Sequence, residues 1–135
     1  MDKQRLLTGT STGSVLVWDL ERPSRISQTF KDTHSGIIRS VSWCLSEADR
    51  FATGSVDAEA RLWDLRAKDP IVKVYRRGNH NEVRDIKFRP HHPHQIAIAY
   101  ENGDVLAWDE RYPDKPWIEW PTQALSVLAI NWSPF

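Results

Sequence analysis

Hydrophobic and polar residues alternate along this chain in short bursts, and the bursts return at a fixed interval. In the middle of the sequence, residues 37–44 alternate well enough for a strand, with Ile38, Val41 and Trp43 as its packing positions. A polar turn at 46–49 follows, then an apolar run at 51–55, a break at Val56-Asp57-Ala58, and a third run at 60–63. After a turn containing Asp69-Pro70, a fourth run occupies 71–75. Each run has the length of a strand, and none extends to an ordinary helix. The pattern predicts four short antiparallel strands joined by turns.

The same pattern recurs on both sides. Trp-Asp pairs stand at Trp18-Asp19, Trp63-Asp64 and Trp108-Asp109, at intervals of 45 residues. Between them Arg5-Leu6-Leu7-Thr8-Gly9-Thr10 lies over Arg50-Phe51-Ala52-Thr53-Gly54-Ser55 and over Gln95-Ile96-Ala97-Ile98-Ala99-Tyr100, and Ile38-Arg39-Ser40-Val41-Ser42-Trp43 lies over Val83-Arg84-Asp85-Ile86-Lys87-Phe88. The third unit runs from 83 to about 120, with turns at Pro90-His91-His92-Pro93 and at Glu101-Asn102-Gly103-Asp104, the second an Asn-Gly hairpin signal. The first unit begins at its second strand, 6–10, and continues through 14–18 and 26–30; a fourth begins at 127–132. A period of about 40–45 residues closing on Trp-Asp marks the blades of a β-propeller, each a four-stranded sheet. The expected fold is therefore all-β, a propeller fragment of two complete blades with partial blades at both ends. Its units divide at 5–33 (partial), 34–79, 80–125 and 126–135, the start of the next. Two whole blades cannot close a ring that needs at least about four, so the chain is expected to be a fragment or truncated gene model of a larger propeller, the alternative being an assembly that completes a ring with other chains. Isolated, it would expose unpaired strand edges and aggregate. No stretch reads as a linker to a second domain.

Composition narrows the classes of function. The chain carries 18 basic and 18 acidic residues, a net charge of zero, which gives no long-range pull toward nucleic acid or an anionic membrane. The single cysteine, Cys44, excludes a disulfide framework and a cysteine-based zinc cluster. No run approaches the roughly 18 apolar residues of a membrane span, and Met1-Asp2-Lys3-Gln4-Arg5 leads straight into a strand pattern without a signal-peptide core. The expected setting is cytoplasmic or nuclear.

Several polar residues invite a chemical reading. His34 stands 29 residues before Trp63, and His80 stands 28 before Trp108. His34, Ser55, Asp57 and Trp63 suit a line of hydrogen bonds in which Asp orients His, His reaches the hydroxyl, and the hydroxyl meets the indole N–H; His80 and Trp108 hold equivalent places. The same residues resemble a Ser-His-Asp triad, but a nucleophile needs an exposed elbow and an oxyanion hole, and neither is signalled. In the third unit Tyr100 and Asn102 replace Ser55 and Asp57, so His80 loses its acidic partner; the first unit has Thr10 and Thr12 there. His91, His92 and His94, splayed by Pro90 and Pro93, read as a solvent-exposed turn and not as metal ligands. Arg39 and Arg84 hold equivalent places near the starts of inner strands, suited to an acidic peptide at the channel mouth or to pairing with Asp85 or a neighbouring blade. Trp117 and Trp120, beside Pro116 and Pro121, form either a docking patch or packing against an adjoining blade. No phosphate loop, supported carboxylate pair, metal set or cofactor motif is present, so no enzymatic function, cofactor or small-molecule substrate is expected.

The Gly-rich turns, the preceding histidines and the closing Trp-Asp pairs resemble the WD-repeat family across the whole chain. Within it, Glu101 to Lys115, Asn81 to Phe88, and Lys68-Asp69 after Asp64-Leu65-Arg66 are similar to the propeller of the WD-repeat subunit of the SEA complex, the restriction of telomere capping protein 1 type. That resemblance implies a non-catalytic scaffold docking onto other subunits of a multiprotein complex at the vacuolar or lysosomal membrane, without inserting into it, in amino-acid signalling to the TOR kinase. The RING-like zinc region of that family is not in this sequence, so no zinc or ligase function carries over. Trp63-Asp64-Leu65-Arg66 and Trp108-Asp109-Glu110-Arg111 also fit the Trp-Asp-x-Arg pattern of cullin ligase substrate receptors. That reading would put Arg66 and Arg111 against the ligase adaptor; other WD-repeat adaptors are a further alternative.

Overall fold

The computed structural model describes residues 4–21, 25–76, 81–120 and 127–133. Among them are eleven strands and no helix, arranged in three antiparallel sheets. The first sheet holds β1 (Arg5–Gly9), β2 (Val15–Asp19) and β3 (Arg25–Phe30). The second, in chain order, holds β4 (Ile38–Trp43), β5 (Arg50–Ser55), β6 (Glu59–Asp64) and β7 (Ile71–Arg76). The third holds β8 (Val83–Arg89), β9 (His92–Tyr100), β10 (Val105–Asp109) and β11 (Ile118–Trp120). Each is a meander, and they are not closed into a ring among the described residues.

The middle sheet is buried on both faces, and its second strand shows why. All six residues of β5 are buried. Alternation sends Phe51 toward the first sheet, where it joins Leu7, Val15, Val17, Ile38 and Trp63, and sends Ala52 toward Val83, Ile86, Ile96 and Ile98 of the third. Phe51 stacks on Trp63 with centroids 5.1 Å apart, while Phe30 reaches the same indole from the first sheet at 5.1 Å. Burying one such aromatic is worth about 2–3 kcal/mol. Close approach is set by Gly9 and Gly54, one repeat apart: a Cβ at Gly9 would overlap Ile38, and one at Gly54 would overlap Val83.

The period also fixes backbone detail. Arg39 and Arg84 are each the extra residue of a β-bulge, in β4 against β5 and in β8 against β9. Gly13, Ala58 and Gly103, each 45 residues apart, take positive φ of 82°, 72° and 96° in the three equivalent turns.

Two expectations need correction. The turn placed at residues 90–93 is tighter: Arg89 pairs with His92, so only Pro90 and His91 turn, and His91 has φ 62°. Pro93 and His94 then lie within β9, and His94 hydrogen-bonds Glu110. The strand expected at 127–132 is not formed: no strand is hydrogen-bonded to this segment as a ladder among the described residues. Ile130 N–H donates to Asp85 Oδ2 at 2.9 Å and the Trp132 indole donates to the Lys87 carbonyl at 3.1 Å, each one repeat away. Those bonds still seat the segment beside β8.

Candidate interaction surface and the polar network behind it

The polar line predicted in the second unit exists with one change of member. The strand register sets Phe51 opposite Trp63, which leaves Thr53 diagonally beside the indole. Trp63 Nε1 donates to Thr53 Oγ1 at 3.1 Å, His34 Nε2 meets the same oxygen at 2.7 Å, and His34 Nδ1 meets Asp57 Oδ2 at 2.9 Å. The hydroxyl is thus Thr53 and not Ser55. Ser55 Oγ instead donates to the Ile37 carbonyl at 2.9 Å and accepts the Asp57 N–H at 3.1 Å, so it is spent on its own turn. Asp57 also accepts the amides of Ser35 and Glu59. Burial pulls the His34 pKa below its ordinary value, and the Asp57 carboxylate offsets this only in part. A neutral imidazole locked at both nitrogens can orient a loop, but it has no lone pair free to act as a base.

The cluster of His34, Asp57 and Glu59 brings three ligand-type atoms within 4.8 Å of one another. None is free. Glu59 is forked between Arg61 at 2.7 Å and Arg76 at 2.6 Å; burial raises its pKa, and these two cations outweigh that and lower it.

The first sheet repeats the indole contact, Trp18 Nε1 donating to Thr8 Oγ1 at 3.0 Å. The third does not. Ile98 occupies the place of Thr8 and Thr53, and Trp108 Nε1 is buried without an acceptor among the described residues. The Trp108 ring packs on Tyr75 at 4.9 Å. Its predicted partner His80 lies outside the described residues. Asn102 binds Asp104 within its own turn.

Arg39 is exposed and makes no ion pair among the described residues, whereas Arg84 pairs with Glu101 at 2.8 Å and keeps a buried Nε without acceptor. Neither uses Asp85, which ties the inner strands together through Ser40 at 2.7 Å and Ile130. Arg66 and Arg111 fold back as forks on Asp64 and Asp109, two residues before each. The hydrogen bond from Arg66 holds the Asp64 pKa low, and that from Arg111 drives Asp109 far below the usual carboxylate range. Trp117 lies against the Arg89 guanidinium at 5.3 Å, which also covers Trp132 at 5.5 Å; Trp120 lines a small apolar hollow with Ala97, Val105, Ile130 and Trp132. An inter-sheet ion cluster escaped the sequence reading: buried Arg50 reaches Glu110 of the third sheet at 2.5 Å, and Glu110 also holds His94. Its signal was a basic residue one repeat after Arg5, which bonds Asp49 of the next sheet in its turn.

This three-sheet architecture, with its Trp-Asp strands and shared inner edges, defines a stretch of β-propeller. The WD domain, G-beta repeat family (WD40) matches residues 24–64. The chain is 33% identical over 135 residues to GATOR2 complex protein WDR24 of Homo sapiens and 30% identical to that of Danio rerio, covering 99% of this chain and 17% of each relative. It therefore spans about a sixth of the length of these curated relatives. It is also 28% identical to histone acetyltransferase type B subunit 2 of Candida glabrata, over 98% of this chain and 32% of that protein. A chain in the crystal structure of the mitotic checkpoint complex shares the fold with a TM-score of 0.82 at 22% identity, covering 96% of this chain and 37% of that one. The Chaetomium thermophilum Raptor structure does so at 0.79 and 18%, covering 90% and 11%. The chain is a segment of WD-repeat β-propeller related to GATOR2 complex protein WDR24.

Proposed function

We propose that this chain is part of a non-catalytic protein-interaction scaffold in a SEA/GATOR2-type complex that regulates TOR signalling in response to amino acids. The observation that carries the reading is 33% identity to human GATOR2 complex protein WDR24 across 99% of the chain. The geometry supports it chemically: the hydroxyl, imidazole and carboxylates that suggest catalysis are all engaged inside the middle sheet. On this reading units 34–79 and 80–125 are successive blades, 5–33 is part of the preceding blade, and 126–135 begins the next. The partners are other protein subunits, and Arg39 and Arg84, re-aimed by their bulges, face them at the channel mouth. The setting is cytoplasmic, peripheral at the vacuolar or lysosomal membrane; no helix among the described residues is long and apolar enough to cross a membrane.

The test is affinity purification of the tagged full-length protein followed by mass spectrometry. Recovery of the other GATOR2-type subunits is the expected result. Recovery of a cullin and its adaptor in their place would overturn the assignment and put Arg66 and Arg111 at the contact.

A further inference from the structure

The inner edges of the sheets are joined by side chains. No ladder connects β4 to β8 among the described residues, so the amides of β8 that face the middle sheet need acceptors from it. Two serines of β4 supply them. Ser40 Oγ accepts the Ile86 N–H at 3.2 Å, and Ser42 Oγ accepts the Phe88 N–H at 3.2 Å. Both sheets at this seam have all four strands.

One repeat later the two positions diverge. Lys87 stands in the place of Ser42, and a lysine ammonium can only donate. The contact there is reversed, the Trp132 indole donating to the Lys87 carbonyl at 3.1 Å. Asp85 stands in the place of Ser40 and bonds in both directions. Its Oδ1 accepts the Ser40 hydroxyl at 2.7 Å and the adjacent Ile86 N–H at 2.9 Å, and its Oδ2 accepts the Ile130 N–H of the next unit at 2.9 Å. Asp85 is buried and has no ion pair among the described residues, so these three donors are what hold its carboxylate.

The terminal torsion of an aspartate has broad wells, and the plane of the carboxylate is therefore set by its partners. Two donors hold Oδ1, one of them from the preceding unit, and holding Oδ1 fixes where Oδ2 lies. Ser40 and Ile130 thus share one group although they stand two repeats apart.

We infer that Asp85 is a coupling device in the inner wall: oriented by Ser40 of the second unit, it positions the entry segment of the fourth. Each link residue directly follows a bulge arginine, Ser40 after Arg39 and Asp85 after Arg84. On the scaffold reading, a partner that engages Arg39 pulls on the strand position that aims Asp85.

The experiment is amide hydrogen exchange of the full-length protein without partners, read at Phe88 and Ile130 by mass spectrometry with electron-transfer fragmentation. Ser40→Ala should speed exchange at Ile130 at least threefold, although the bond of that amide is to Asp85. Ser42→Ala, at the same seam, should speed Phe88 and leave Ile130 unchanged. Asp85→Ala should speed Ile130 at least tenfold, and adding Ser40→Ala to it should change Ile130 no further. Unaltered exchange at Ile130 in Ser40→Ala would overturn the inference, because Asp85 would then be held without Ser40. So would an equal rise at Ile130 in Ser40→Ala and Ser42→Ala, the mark of a generally loosened seam. If Asp85→Ala does not fold, the two serine variants still decide between these outcomes. Exchange is read on unbound protein, so its result and that of the purification experiment fail separately.

Discussion

The middle and third sheets share one strand frame, yet their Trp-Asp tryptophans end in opposite states. Trp63 is 1% exposed and its indole N–H is satisfied by Thr53, which also holds His34 and through it Asp57. Trp108 has the same place in its sheet, but Ile98 stands where Thr53 does and its N–H is buried with no acceptor among the described residues. A buried donor left unpaired costs about 1–3 kcal/mol, whereas a made hydrogen bond contributes about 1 kcal/mol net. The difference teaches that the repeat conserves shape before chemistry: Ile98 fills the volume of a threonine and more, and the sheet still forms.

The comparison breaks most visibly at Thr53. Thr53→Val keeps the volume but removes the hydroxyl from two buried partners, His34 and Trp63. The expected loss is about 3 kcal/mol, from two orphaned groups at once. Thr8→Val, which orphans Trp18 alone, should cost about 1 kcal/mol. Urea denaturation of the full-length protein measures both, and equal losses would mean that the shared hydroxyl does not couple the loop to the sheet.

A second contrast lies at the β5–β6 and β9–β10 turns. Asp57 accepts from His34, Ser35 and Glu59, while exposed Asn102 binds within its own turn. Asp57→Ala should cost about 2 kcal/mol and Asn102→Ala about 0.5 kcal/mol. Equal shifts in melting temperature would remove the asymmetry on which the comparison rests.

Much of this was readable from the period. A 45-residue register places strands, turns and both arginine bulge positions in equivalent places, because each blade must pack against a copy of itself. The choice between Ser55 and Thr53 was not readable in the same way. Both hydroxyls lie on one face of β5, two residues apart, and only the pairing of Phe51 with Trp63 decides which one meets the indole. The segment at 127–132 carries a strand's pattern, but a strand also needs a paired neighbour, and none is laddered to it among the described residues.

Restoring the missing hydroxyl sharpens the comparison further. Ile96 and Ile98 are both fully buried and sit two apart on β9, so each replacement by threonine loses similar apolar burial. Ile98→Thr also gives Trp108 Nε1 the acceptor that Thr53 gives Trp63. It should therefore cost about 1–2 kcal/mol less than Ile96→Thr, the value of satisfying one buried donor. Matching losses at the two sites would show that the Trp108 nitrogen gains nothing from a hydroxyl at that position.

The smallest effect expected is in pH. His34 is held neutral because burial disfavours its charged form more than Asp57 favours it, so its folded pKa lies below the ordinary 6.5. The unfolded chain then binds more protons as pH falls below about 6.5, and stability contributed by the neutral imidazole is lost through that window toward the folded value. Above about 6.5 the contribution is complete. Unfolding free energies at pH 7.5 and 5.5 should thus fall with acid in the native protein and fall less in His34→Gln, which cannot titrate. An identical pH slope in the two proteins would mean that Asp57 compensates the burial of His34 fully, and that the network responds to protons no more than the third sheet does with the apolar Ile98 in the place of Thr53.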